Sequence, residues 1–344
     1  MTESTQLMDD AALAAFLDDH FGDRVGIQVE RHKAGHSNET FFVDRGDARY
    51  VLRRPPAGAF LPSAHDVGRE FTVLSALEGT VARSPRTILR CEDDSIIGAP
   101  FYLMERIDGL VIRADLREFL PQDDRWKVGE ELVDALVELH SVDPASVGLD
   151  DFGKPTGYLE RQLRRWNGQL ELTLPFTRPL PDLEKVGAWL RDNIPSSPPS
   201  TLVHGDYKLD NVMFAPEAPA RLNAILDWEM STIGDPLADL GWMISFWSEP
   251  DDPGGDMFAD LTNVTVLPGF SRRKDLIARY EERSGTDVRA LDWYRVLATW
   301  KLAILLEGSY ARHLAGATDD LFFARMEEGV PALARRGLAL MTGA

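Results

Sequence analysis

Apolar residues recur along this chain with two different periods, and the two periods occupy different regions. Near the start, Leu13, Phe16, Leu17 and Phe21 fall on one helical face. Residues 26–53 then hold two strand-like runs, Phe41-Phe42-Val43 and Tyr50-Val51-Leu52, joined through the turn-like Arg45-Gly46-Asp47. Their aromatic and β-branched content predicts a hairpin. The proline-rich stretch from Pro55 to Pro62 interrupts it, and Val67, Phe71, Leu74 and Leu77 predict a helix over Ala64 to Leu77. Ile96 to Met104 reads as a further strand, and Trp126 to His140 and Leu183 to Ile194 read as long amphipathic helices. Strands cluster early and helices late. That segregation predicts an α+β chain with a mixed small lobe in residues 1–104, a connection at 105–110 and a mainly helical large lobe in 111–344, with a cleft between lobes as the default site.

Composition narrows the classes. A chain of 344 residues with 44% hydrophobic content suits one large or two modest domains and is far from a disordered composition. Lys and Arg number 37 against 56 Asp and Glu, so the net charge of -19 repels polyanions and argues against nucleic acid or an anionic lipid surface as a partner. The single cysteine, Cys91, cannot form an internal disulfide, and no Cys/His cluster has zinc spacing, which fits a reducing cytoplasm. No basic residue precedes Arg24, so a signal-peptide n-region is not expected. The apolar stretch from Trp293 to Tyr310 contains Arg295, Lys301 and Glu307, too many charges for a membrane span.

The densest chemistry is His204-Gly205-Asp206-Tyr207-Lys208-Leu209-Asp210-Asn211, set between the apolar runs Leu202-Val203 and Val212-Met213-Phe214. Sixteen residues beyond Asn211, Asp227 follows the apolar run Ala224-Ile225-Leu226. Two such loops can converge on one metal. Mg²⁺ takes oxygen ligands and keeps waters and substrate phosphates, so Asn211 and Asp227 suffice if a nucleotide supplies the rest, leaving Asp206 to orient a hydroxyl. A competing phosphate-loop pattern, Gly148 to Lys154, has Pro155 where Ser or Thr is required and two aspartates inside the cradle.

The motif H-G-D-x4-N with a later I-D-W-E resembles the catalytic and metal loops of the aminoglycoside phosphotransferase-like kinases, relatives of the protein kinases. The resemblance implies a two-lobed protein-kinase-like fold and ATP and Mg²⁺ as cofactors. Asp206 would be the catalytic base, with Asn211 and Asp227 holding the metal. By the same resemblance, Gly35-His36-Ser37-Asn38 is the nucleotide-positioning loop, with Ser37 as its phosphate contact. Tyr50-Val51-Leu52-Arg53 resembles the V-A-I-K strand with Arg53 in place of the usual Lys, and Glu70 resembles that residue's acidic partner. The backbone near Glu105 and Ile107 resembles the hinge that bonds adenine. Gly234-Asp235-Pro236-Leu237-Ala238-Asp239 also matches, Asp239 being the support of the catalytic loop.

For the acceptor, seven residues between Asp227 and Asp235 leave no room for a long activation loop, so a small-molecule hydroxyl is expected over a protein one. Residues 154–178 reverse the sign of the chain: Lys154, Arg161, Arg164, Arg165 and Arg178 against Glu160 and Glu171 give a local charge of +3. Arg161, Arg164 and Arg165 stand at i, i+3 and i+4, on one face if the segment is helical. Tyr158 to Trp166, together with Leu61-Pro62-Ser63-Ala64-His65, resembles the subgroup related to kinase-like domains fused to acyl-CoA dehydrogenases. That implies a hydroxyacyl-CoA acceptor whose phosphates the arginines grip. An aminoglycoside or choline-like alcohol kinase and a nucleotide-binding pseudokinase are the alternatives, and the sequence leaves the oligomeric state open.

Overall fold

The computed structural model describes residues 8–32, 38–56, 66–113, 120–252, 261, 263–318 and 320–343. The chain divides into two compact units, residues 1–108 with 224–231, and residues 109–223 with 232–344.

The first unit is built on an antiparallel sheet of order β1-β2-β3-β5-β4. Its strands are β1 (Ile27–His32), β2 (Glu39–Arg45), β3 (Ala48–Arg54), β4 (Thr87–Cys91) and β5 (Phe101–Glu105). Two strand-like runs therefore become three strands, because β1 carries mostly polar, exposed side chains and lacks a strong alternating signal. The expected strand from Ile96 shortens to β5: Gly98 sits at φ 79° and Pro100 lacks an N–H, so Ile96 and Ile97 belong to the preceding turn. Helix α1 (Asp10–Phe21) is capped by Asp9, whose carboxylate accepts from the N–H groups of Ala11 and Ala12. Its Leu13 and Leu17 pack into one core with Phe41, Val43, Leu52, Phe101 and Leu103. Helix α2 (Val67–Leu77) starts at the Asp66 cap, and the part of its expected range from Ala64 to His65 lies outside the described residues.

The two-residue period of β3 matters for chemistry. Leu52 pairs across the ladder with Leu103 and belongs to the core, so its neighbour Arg53, paired with Tyr102, faces the other way. The segment Ala224–Ser231 joins this unit through specific bonds: Ile225 N–H donates to Arg83 C=O at 2.7 Å, and Trp228 N–H to Glu70 Oε1 at 3.2 Å.

The second unit is mainly helical: α3 (Trp126–Ser141), α4 (Tyr158–Thr173), α5 (Pro181–Asp192), α6 (Pro236–Ser245), α7 (Arg273–Ser284), α8 (Leu291–Leu314) and α9 (Met326–Met341). Pro181 opens α5 two residues before the expected start, at a position where its missing N–H costs nothing. The long α8 packs against α4, α5, α6 and α9. Gly241 lets α6 approach it closely: a Cβ there would lie 2.6 Å from Tyr294 Cβ. Short strands β6 (Thr201–Val203), β7 (Val212–Phe214), β8 (Leu222–Ile225) and β9 (Thr232–Gly234) complete the topology. The antiparallel β6–β9 pair flanks the His204 to Asn211 loop on its N-terminal side. Among the described residues, no helix is long and apolar enough to cross a membrane.

Candidate active site

In the second unit the His204 to Asn211 loop leaves β6 and is pinned by Asp239 on α6. The His204 N–H donates to Asp239 Oδ2 at 2.6 Å and the Gly205 N–H to Oδ1 at 2.8 Å. Gly205 stands at φ 85°, a left-handed conformation that suits glycine, and this brings both N–H groups onto one carboxylate. Asp239 also meets His140 Nε2 at 3.3 Å, and His140 Nδ1 meets the Tyr280 hydroxyl at 2.7 Å. Burial works to raise the Asp239 carboxyl, but the histidine contacts and the backbone donor outweigh it and hold it below its ordinary value. His204 itself is fully buried, and its Nδ1 accepts the Asp206 N–H at 3.2 Å. It organises the loop.

Asp206 is held at both carboxylate oxygens. Oδ1 accepts from the Trp242 indole N–H at 2.7 Å. Oδ2 accepts from Asn211 Nδ2 at 2.7 Å and from Lys208 Nζ at 2.5 Å. Burial pushes the acid up, yet Lys208, Lys301 and His204 prevail and its pKa lies below the ordinary value, so the group is ionised near neutrality. Its side chain remains 20% exposed. An oxygen with one donor retains a lone pair, so Oδ1 can accept a hydroxyl from a bound alcohol. Asn211 Nδ2 also bonds Asp206 C=O at 2.9 Å. With both donations fixed, the amide orientation is settled and Oδ1 of Asn211 is the free acceptor.

The first unit holds a second cluster. Arg53, buried between β3 and α2, donates to Glu70 Oε1 at 2.8 Å and gives two 3.2 Å bonds to Asp227 Oδ1. Burial works to lower the guanidinium's pKa, but Glu70, Asp227 and Glu229 outweigh it and raise it above its ordinary value. Burial likewise pushes the Glu70 carboxyl up, with Arg53 opposing. Asp227 takes φ 66°, unusual for a residue with a Cβ, and its side chain is 35% exposed. Its Oδ2 accepts no hydrogen bond from the described residues.

Each unit thus holds one carboxylate or amide oxygen that accepts no hydrogen bond from the described residues, Oδ2 of Asp227 in the first and Oδ1 of Asn211 in the second. Among the described residues no three His, Cys, Asp or Glu side chains gather as a metal cage. Oxygen donors of this kind suit Mg²⁺ rather than zinc.

Other expected site residues fare variously. Glu105 ends β5 and its N–H bonds Arg86 C=O at 2.9 Å, whereas no described residue accepts the N–H of Ile107. Ser37, with Gly35 and His36, lies outside the described residues, as does Leu61 to His65. Asn38 reaches Glu229 Oε2 at 3.5 Å. Arg161, Arg164 and Arg165 do lie on one helix, α4. There Arg161 donates to the carbonyls of Lys154 and Thr156, while Arg164 and Arg165 are exposed, Arg165 lying 5.1 Å from the Trp166 ring centroid.

Motif spacing assigns no role to Lys208, Trp242 and Lys301, although each carries a signal. Lys208 stands inside the motif. Trp242 is three residues after Asp239, on the same face of α6. Lys301 is an isolated cation in an otherwise apolar helical run.

Known proteins place these clusters in context. Residues 28–297 match the APH phosphotransferase enzyme family. Acyl-CoA dehydrogenase family member 11 of Rattus norvegicus is 36% identical over 342 residues, covering 96% of this chain and 43% of that protein. Family member 10 of Mus musculus is 35% identical over 284 residues, covering 82% and 26%. The chain thus spans less than half the length of these curated relatives. A Ralstonia eutropha JMP134 structure, provisionally assigned as an aminoglycoside phosphotransferase, superposes with a TM-score of 0.82 at 29% identity, covering 98% of this chain and 99% of that one. Aminoglycoside phosphotransferase APH(4)-Ia, in a ternary complex with ADP and hygromycin B, shares the fold with a TM-score of 0.58 at 15% identity, covering 96% and 98%. On this evidence of sequence and fold, the chain belongs to the APH phosphotransferase enzyme family.

Proposed function

We propose that this chain transfers the γ-phosphate of ATP to a hydroxyl of a small molecule in a Mg²⁺-dependent reaction, and that the acceptor is a hydroxyacyl-CoA thioester. The observation that carries the reading is the setting of Asp206: an ionised carboxylate fixed by Trp242, Asn211 and Lys208, with one oxygen able to accept a hydroxyl. Asp206 orients the acceptor O–H towards the γ-phosphorus and takes its proton as the bond to phosphorus forms and the bond from phosphorus to the bridging oxygen breaks, releasing ADP. Positioning supplies most of the rate, and the fixed donors remove the need for reorganisation. Mg²⁺, when bound to Asp227 and Asn211, would supply charge neutralisation of the nucleotide phosphates. Arg53, held by Glu70, contributes a permanent positive charge beside Asp227. The Ile107 N–H is available to adenine.

The acceptor class is supported by two features. The curated relatives are named as acyl-CoA dehydrogenase family members, and α4 presents Arg164 and Arg165 to solvent in a chain otherwise rich in acid. Arginine forks match the phosphates of CoA. Arg161, tied to carbonyls at the start of α4, steadies the helix that carries them.

Phosphate incorporation by mass spectrometry tests the reading, with Mg-ATP and a panel of hydroxyacyl-CoA thioesters, aminoglycosides and choline-like alcohols, and Asp206→Asn as the blank. A phosphorylated CoA thioester is expected. Product on an aminoglycoside or choline-like alcohol alone would replace the acceptor class. Mg-ATP binding without product on any member would favour a pseudokinase.

A further inference from the structure

Within the second unit, a cavity of about 30 Å³ lies beside the Asp206 loop, lined among others by Tyr158, Gln162, Trp166, Trp242 and Lys301. A water-sized group needs roughly 10–15 Å³, so the space admits one small functional group and no sugar ring. Lys301 reaches it from α8. Its ammonium donates to Gly205 C=O at 2.7 Å, in the residue preceding Asp206, and lies 4.1 Å from the Trp242 ring centroid and 5.5 Å from that of Trp166. Among the described residues no carboxylate comes within 4.0 Å of it. An ammonium has three donors, and one hydrogen bond leaves donor capacity at the cavity.

A half-buried cation facing this cavity without a paired carboxylate is costly unless something else completes its shell. The charged groups around it are Asp206 and Lys208 of the loop, Asp239 of α6 and Arg165 of α4. Asp206 and Asp239 are already engaged by other donors. We propose that Lys301 is an acceptor-positioning residue that binds a carbonyl or carboxylate oxygen of the substrate, placing the nearby hydroxyl at Asp206 and excluding acceptors with a cationic group at this point.

The exclusion follows from what occupies the aromatic rings. Trp242 and Trp166 would otherwise form two walls of a cage for an ammonium ligand, but Lys301 already sits over the Trp242 ring. A second cation there meets like charge. An oxygen bearing negative or partial negative charge meets a donor. Trp242 connects the two functions, since the same indole that faces Lys301 donates to Asp206 Oδ1. The cavity lining includes Gly205, the residue before Asp206, so an occupant bonded to Lys301 lies within one residue of the base.

This inference rests on the reading of Asp206 as the base in phosphotransfer, and its test separates the two. Four matched probes are 3-hydroxybutanoate, its N-acetylcysteamine thioester, 1,3-butanediol and 4-amino-2-butanol. Binding to the 344-residue chain is measured without nucleotide by saturation-transfer NMR and tryptophan quenching, and turnover is then measured with Mg-ATP. A hydrogen bond to a charged donor corresponds to roughly 10- to 100-fold in affinity. Wild type should bind the thioester and the carboxylate at least about tenfold more tightly than the diol, with the amino alcohol weakest. Lys301→Met should level the ranking and raise KM for the thioester more than it lowers kcat, and Lys301→Arg should restore part of the preference. An unchanged ranking in Lys301→Met overturns the proposal. So does wild type binding the amino alcohol as tightly as the thioester, a result that decides even if the variant fails to fold. A Lys301-dependent preference with no phosphorylated product would overturn phosphotransfer and leave the oxygen-binding role standing.

Discussion

Arg53 directs both terminal nitrogens of its guanidinium to the same oxygen of Asp227, each at 3.2 Å, and leaves the other carboxylate oxygen open. The same side chain pairs with Glu70, which is 1% exposed and also accepts the Trp228 N–H. One arginine therefore couples the sheet, α2 and the Asp227 turn. A lysine could satisfy one or two of these acceptors as a point charge, but it could not present a fork.

Removing the cation isolates a buried carboxylate. Arg53→Met should lower unfolding stability by about 3–5 kcal/mol, the range for breaking a buried pair. Adding Glu70→Leu should return at least half of that loss, because the stranded charge is then gone. Urea denaturation of the two variants checks it. If the double variant were no more stable than Arg53→Met, the pair would not be the source of the loss.

The Asp239 carboxylate accepts two backbone donors, one at each oxygen, so an amide cannot replace it. Asp239→Asn turns one acceptor into a donor facing an N–H group. A cost of about 1–3 kcal/mol is expected from the donor left unpaired. Turnover should fall through kcat with KM for ATP little changed, since the variant loosens the loop that carries Asp206. The acid limb follows in sign: a carboxyl held below its ordinary value stabilises the fold above its unfolded pKa of about 3.9 and loses that contribution as pH falls through the lower folded value. In urea titrations from pH 6 down to pH 3, the gap between wild type and Asp239→Asn should narrow. A constant gap would contradict the assignment.

The sequence discloses those parts of the fold and site that are local in the chain. The Asp206 to Asn211 spacing is carried by one turn, and the Phe41 and Tyr50 runs are rich enough in aromatic and β-branched residues to declare β2 and β3. β1 stays hidden because its stability comes from pairing with β2 rather than from its own apolar content. Trp242 and Lys301 reach Asp206 and Gly205 from 36 and 96 residues away. No local period encodes such meetings. What the sequence does show is a charged residue in an apolar helical run, and Lys301 differs from its neighbour charge Glu307 in kind: Glu307 pairs with Arg178 at 3.1 Å, whereas Lys301 has no described carboxylate within reach.

Lys301 also has a pH signature in stability. Burial lowers its pKa to about 8, with Asp206 and Asp239 opposing and Lys208 and Arg165 adding to the shift. An unfolded lysine titrates near 10.4. Between these values the unfolded chain binds more protons than the folded one, so stability rises with pH across that window. Lys301→Met abolishes the term. The free-energy difference between wild type and Lys301→Met should therefore move in favour of wild type by about 2–3 kcal/mol from pH 7 to pH 10. A difference flat in pH would mean that the ammonium is solvated in the folded state.

Asp227 provides a test in which backbone and charge separate. Its φ of 66° lies in the left-handed region, where Asp and Asn are tolerated, glycine is unstrained and other residues with a Cβ are penalised by about 1–2 kcal/mol. Asp227→Asn, Asp227→Gly and Asp227→Ala all remove the negative charge facing Arg53, so that loss is common to the series. Differences among them report the backbone. Asp227→Gly should be more stable than Asp227→Ala by about 1 kcal/mol, the reverse of the usual entropic ranking, and Asp227→Asn should lie at or above Asp227→Gly. Mg-ATP-dependent turnover should be lost in all three, whatever their stability, because each lacks the carboxylate oxygen available to the metal. Asp227→Ala more stable than Asp227→Gly would contradict the strained turn. Turnover retained in a well-folded Asp227→Asn would instead remove Asp227 from the metal site while leaving its structural pairing with Arg53 in place.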